Sequence, residues 1–111
     1  MANQNASSRG PIFSEYANDA DMAELVEGFV AELPKRIEAI SSAVSQSRGT
    51  DLKRLAHQLR GAAPGYGFPS IGSAAAALED LMRQAPAAAD LSAFKSQVDE
   101  LIDLCSRAAH R

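Results

Sequence analysis

His57 stands in the stretch "LAHQLRG" (55–61), with Lys53 four residues before it, Arg60 three after it and Gly61 four after it. On a helix those separations make neighbours. An exposed imidazole beside cations suits a nucleophile that takes up a phosphoryl group, with the cations steadying the anion held on the ring. At an ideal ~100° per residue from Leu52, the residues Leu55, Ala56, Leu59, Ala62 and Ala63 gather in an arc centred near roughly 340°, and His57 falls at about 140°. Lys53 (about 100°), Arg54 (about 200°), Arg60 (about 80°) and Gly61 (about 180°) share its side. The phase argues against a core histidine and leaves a plainly solvated one as the alternative. Gly61 weighs against that alternative. Glycine inside a helix costs about 1 kcal/mol relative to Ala, and the apolar arc has no use for it. On the outer face it keeps the surface low beside His57, so that a bulky group can approach.

Glu79 is the second candidate. Counted from Ile71 on the next helix, it lies at about 80°, on the flank of an apolar arc again centred near roughly 340°. A carboxylate there can accept an N–H from one imidazole nitrogen, fix the tautomer and leave the other nitrogen free to attack. A glutamate facing water is the competing reading.

These side chains need helices to carry them, and the chain supplies helical patterning throughout. It has 111 residues, enough for one domain, with 46% hydrophobic, 23% charged and 5% aromatic residues and no Trp. Met22, Leu25, Val26, Phe29, Val30, Leu33, Ile37, Ile40 and Val44 recur at helical steps. Asp19 or Asp21 can cap that helix, and Ile12 and Phe13 are expected packing anchors. Pro34 interrupts the stripe without shifting its phase, which favours one long kinked helix. "SRGT" (47–50) reads as a glycine stop and a Thr50 cap. "PGYGFPS" (64–70) reads as a break. A third helix over 70–84 carries Ile71, Ala74, Ala75, Leu78, Leu81 and Met82. "APAAAD" connects it to a last one over 91–108 with Leu91, Phe94, Val98, Leu101, Ile102 and Cys105 inward. No strand alternation is visible. Amphipathic helices joined by short connections suggest an antiparallel bundle.

The same numbers narrow the function. A net charge of −3 and a pI near 5.3 give no general attraction for nucleic acid. Cys105 has no partner for a disulfide within the chain, and with His57 and His110 it cannot complete a four-ligand zinc site. There is no transmembrane run or secretory leader, so a cytoplasmic protein is expected. "GAAPGYG" lacks the Lys-Ser/Thr ending of a phosphate-binding loop and follows no strand. No Gly-rich nucleotide lid is present either, which argues against an autonomous kinase. Cys105 is expected to be packed and His110 inert. The starting Met and short polar tail suggest a protein that stands alone.

"LKRLAHQLRGAAPGYGF" resembles the signature of histidine-containing phosphotransfer (HPt) domains, roughly Ala-His-x-Leu-Lys-Gly with a second glycine beyond. Here that is Ala56, His57, Leu59, Arg60, Gly61 and Gly67. "ELVEGFVAELPKRIEAISSAV" is similar to the family's long helix, with Phe29, Leu33 and Ile37 toward the core, and "SAAAALEDLM" to its partner helix. The resemblance spans roughly residues 12–105. It implies an all-α fold, an antiparallel four-helix bundle with an additional short N-terminal helical segment, as a single domain over 12–111 after a flexible tail over 1–11. It implies a phosphoryl carrier without kinase activity of its own, which takes the group from a receiver-domain aspartyl phosphate and passes it to another receiver. His57 would be the phosphorylation site, Arg60 the phosphoryl contact in place of the usual lysine, Gly61 the clearance and Glu79 the imidazole orienter. Lys53, Arg54, Gln58, Ala76 and Arg83 would meet the partner. Tyr66 and Phe68 are further candidates for that contact, with turn or core packing as their ordinary role.

Partners would be response-regulator receiver domains, a hybrid histidine kinase, or both. Mg²⁺ would be supplied by the receiver, with no cofactor in this chain, no nucleic acid or membrane contact, and a monomeric state. Pro64, where relatives continue the helix, should bend or end it about two turns after His57. An adaptor that binds a partner without phosphorylation is the rival function.

Overall fold

The computed structural model describes residues 9–86 and 90–109. The tail expected over residues 1–11 therefore lies mostly outside the described residues, as do His110 and the middle of "APAAAD". Four α-helices dominate: α1 (Ala23–Ser45), α2 (Gly49–Ala62), α3 (Pro69–Gln84) and α4 (Lys95–Arg107). Two 3₁₀ segments, Ala63–Tyr66 and Leu91–Phe94, lead into α3 and α4. Helix α1 packs against α2 and α4, and α3 packs against α2 and α4. The α2–α3 pairing is the most extensive.

The core follows the helical spacing. Val26, Phe29, Leu33 and Ile40 meet Leu52, Ala56 and Leu59, then Ile71, Ala75 and Leu78, then Val98, Leu101 and Cys105. Burial holds the Cys105 thiol protonated by pushing its pKa up to about 12. Phe68 is fully buried, and Tyr66 stacks on Phe29 at 4.7 Å between ring centroids. Both therefore spend their rings on packing. Three apolar residues depart from the expected inward placement. Leu25 is 54% exposed, Phe13 49% and Leu81 36%. Leu25 lies in the first turn of α1 beside Val26, which is 2% exposed, so that turn is covered on the Val26 side and leaves Leu25 at the edge of the stripe. In the two-residue strand, Ile12 faces the core and Phe13, next along, points the other way.

The helix ends differ from the capping residues read from sequence. Helix α1 runs unbroken through Pro34, which is exposed, so water can reach the carbonyl its ring leaves without a donor. Met22 occupies its N-cap without a side-chain bond, and Asp19 instead accepts from the Asp21 N–H at 2.9 Å, closing the turn before the helix. Helix α1 ends without its glycine. Ser47 takes the left-handed position at φ 56°, with Ser47 N–H donating to Val44 O and Arg48 N–H to Ala43 O. This pair of bonds is the Schellman closure. Gly49 is then the first residue of α2, and Thr50 caps nothing.

Pro64 settles the path after His57. The α-helix stops at Ala62 and tightens into the 3₁₀ segment, whose first turn accepts Pro64 because no N–H is needed there. Gly67, at φ 90°, ends it, with Gly67 N–H bonding Pro64 O and Phe68 N–H bonding Ala63 O. Any Cβ on Gly67 would collide with Ser14 and lie 2.8 Å from Glu15 N. Gly72 of α3 is constrained by space alone, since a Cβ there would meet the Pro64 ring at 2.7 Å.

Ahead of α1, residues 10–22 form a two-residue strand and a series of turns, and residues 1–8 lie outside the described residues. Strand β1 (Ile12–Phe13) pairs in parallel with β2 (Ala108–Ala109). Ser14 Oγ donates to Tyr66 O at 2.7 Å, and Glu15 N–H donates to Gly67 O at 2.9 Å. Two residues are too few to show alternation, so this pairing leaves no trace in the sequence pattern.

Candidate functional site

The site is built on the α2–α3 pairing. The apolar arc of α2 turns Leu52, Ala56 and Leu59 inward and leaves the His57 side chain 66% exposed. From α3, Glu79 reaches the same place, yet it is only 2% exposed. The flank on which periodicity places Glu79 faces α2, and this replaces the reading of a glutamate facing water.

The Glu79 carboxylate has three partners. His57 Nδ1 lies 2.9 Å from Oε2, Arg83 Nη2 donates to Oε2 at 2.8 Å, and Arg60 Nη1 donates to Oε1 at 3.3 Å. The bond from Arg83 is the main cause that holds its pKa down to about 2, against the opposing effect of burial, with His57 and Arg60 adding to the depression. Glu79 is thus ionised at neutral pH and can only accept. The shared proton therefore belongs to Nδ1, which leaves the lone pair of a neutral ring on Nε2. Nε2 has no hydrogen-bond partner among the described residues.

Arg60 makes a second contact, donating from the same Nη1 to Asp80 Oδ1 at 3.0 Å. Its pKa is raised, first by the bond to Asp80 and then by that to Glu79. Gly61 is exposed, and a Cβ built on it meets nothing within 4 Å. Nothing among the described residues requires a glycine there. Lys53 and Arg83 line a neighbouring hollow of about 350 Å³ with Thr50 and Met82. Gln58 is exposed and Ala76 half-buried. Arg54 is tied back along its own helix to Asp51 at 3.0 Å.

His57, Arg60, Glu79 and Arg83 thus converge, while Arg54, 57% exposed, pairs with Asp51 on its own helix. Sequence reasoning assigned Arg83 to partner contact and missed that it holds Glu79, although the i,i+4 spacing of the two is the usual signal for such a pair. Asp80 was overlooked, and no local pattern announces a bond between helices. No trio of potential metal ligands occurs among the described residues, and no helix there is long and apolar enough to cross a membrane. The arrangement offers an oriented nucleophilic nitrogen with cations beside it and open surface around it. A family model described as Hpt domain matches residues 24–111. No curated protein and no solved structure matches the sequence.

Proposed function

Since the chain belongs to the Hpt domain family, whose members are phosphocarrier modules of two-component phosphorelays and work with receiver domains and histidine kinases, we propose that His57 is its phosphoryl acceptor. The observation that carries this reading is the 2.9 Å contact between Nδ1 and an ionised, buried Glu79. In the proposed step a receiver docks over the open surface at Gly61, and Nε2 attacks the phosphorus of its aspartyl phosphate in line. The Nε2–P bond forms, and the P–O bond breaks with its electron pair returning to the receiver's carboxylate. Nδ1 keeps its proton, so the ring becomes cationic as the bond forms. The Glu79 carboxylate faces that new charge directly. Arg60 meets the phosphoryl oxygens, and Lys53, Gln58, Ala76 and the outer part of Arg83 meet the partner. The receiver brings Mg²⁺, which offsets charge on the phosphoryl oxygens.

Reversal of the same step hands the group to a second receiver. The reading takes residues 12–111 as one domain, framed by an antiparallel four-helix bundle, monomeric and cytoplasmic. Incubation with a phosphorylated receiver should give acid-labile, base-stable phosphate on the chain, and His57→Gln should abolish it. Full labelling of that variant would overturn the assignment, and a receiver that binds wild type and His57→Ala equally well, with no phosphoryl transfer, would favour the adaptor reading.

A further inference from the structure

Both hydrogen bonds that Arg60 makes among the described residues leave from one nitrogen. Nη1 carries two hydrogens, and they are directed to Glu79 Oε1 and Asp80 Oδ1. Among the described residues, Nη2 and Nε have no acceptor, and the side chain is 43% exposed. The guanidinium is planar, so fixing one of its corners fixes where the other two nitrogens point. Glu79 is already committed to His57 and Arg83. Asp80 makes the shorter of the two contacts to Arg60 and no other hydrogen bond among the described residues. Its side chain is 54% exposed, and an ion pair between two such exposed groups adds little stability.

We propose that Asp80 is a positioning residue: it holds Nη1 so that the free donors of Arg60 are ready for a phosphoryl group on His57. This deepens the function proposed above and rests on it. The pair also accounts for an arginine at position 60. A lysine has a single nitrogen, and its ammonium would be divided between the carboxylates and the phosphoryl group. An arginine serves both from separate nitrogens. Asp80 is therefore an aid to Arg60 and would be a competitor to a lysine.

That opposition of sign is the test. The probe is phosphoramidate, which phosphorylates without a receiver: its P–N bond breaks, ammonia leaves and the Nε2–P bond forms. The rate of His57 phosphorylation is followed by ³¹P NMR in wild type, Asp80→Ala, Arg60→Lys and the double variant. Asp80→Ala, which leaves no acceptor for Nη1, should slow the reaction by roughly three- to tenfold in the arginine background, the scale of a lost orienting contact. In the lysine background the same change should leave the rate equal or raise it. Urea unfolding should show all four proteins folded. Equal rates for wild type and Asp80→Ala, or the same loss in both backgrounds, overturn the positioning role. A wild type that takes up no phosphate on His57 overturns the phosphoryl-carrier reading instead, so the two failures are told apart.

Discussion

At the scale of single residues, Glu79 is the side chain around which the site is organised. Its replacement separates charge from hydrogen bonding. In Glu79→Gln the amide oxygen can still accept from Nδ1–H, but the charge that faces the phosphorylated ring is gone. Phosphorylation should slow by roughly tenfold or more, the scale of a lost electrostatic contact; rates equal to wild type would show that orientation alone matters. The same carboxylate predicts an acid dependence. Its pKa falls from 4.5 to about 2 on folding, so the unfolded chain binds the proton more readily. The stabilisation is complete above about 4.5 and fades as pH drops through the folded value near 2. Urea titrations of wild type and Glu79→Gln should converge across that window; a gap that stays constant to pH 2 would count against it. The position of His57 on the outer face was legible in the sequence because phase alone excluded the core. The burial of Glu79 was not, because a wheel gives a direction and cannot say that another helix lies in it.

At the scale of elements, glycines and helix ends divide into those the fold needs and those it does not. Gly72 lets α3 approach the Pro64 ring, so Gly72→Ala should cost about 1–3 kcal/mol through overpacking, read as a lower urea midpoint. Gly61 meets no such neighbour. Gly61→Ala should therefore fold at least as well as wild type, gaining up to ~1 kcal/mol, while docking of a receiver weakens. A drop in stability would show that the residue serves the fold after all. Ser47 offers the opposite case, a left-handed position filled by a residue with a Cβ. Ser47→Gly should raise stability by roughly 1 kcal/mol, and an unchanged midpoint would contradict that. The four helices were legible because their apolar spacing is regular even across Pro34. The ends of α1 and the start of α2 were not, whereas the 70–84 reading lies within one residue of Pro69–Gln84. Asp19, Gly49 and Thr50 are residue types that favour caps, but the chain closes α1 through backbone bonds at Ser47, which composition does not reveal.

At the scale of the whole molecule, the N-terminal segment binds distant parts of the chain together. Ser14 and Glu15 bond the turn at Tyr66 and Gly67, Ile12 pairs with Ala108, and Arg9 reaches Asp103 at 2.9 Å. Removing residues 1–16 should leave the Tyr66 and Gly67 carbonyls without donors and destabilise the molecule by roughly 1–3 kcal/mol, seen as a lower Tm. An unchanged Tm would mean that water replaces these bonds at no cost. The parallel sense of β1 and β2 has a mechanical consequence. A pull on the two ends of the chain draws paired strands in opposite directions along their length, so their bonds are sheared together and cannot be peeled one at a time. The Arg9–Asp103 pair and the contact from Arg107 to Gly10 O span the same junction and share the load. Tension carried through such a module would meet this clasp before it reached α2 and α3, so the face that bears His57 would keep its shape while the ends are under strain.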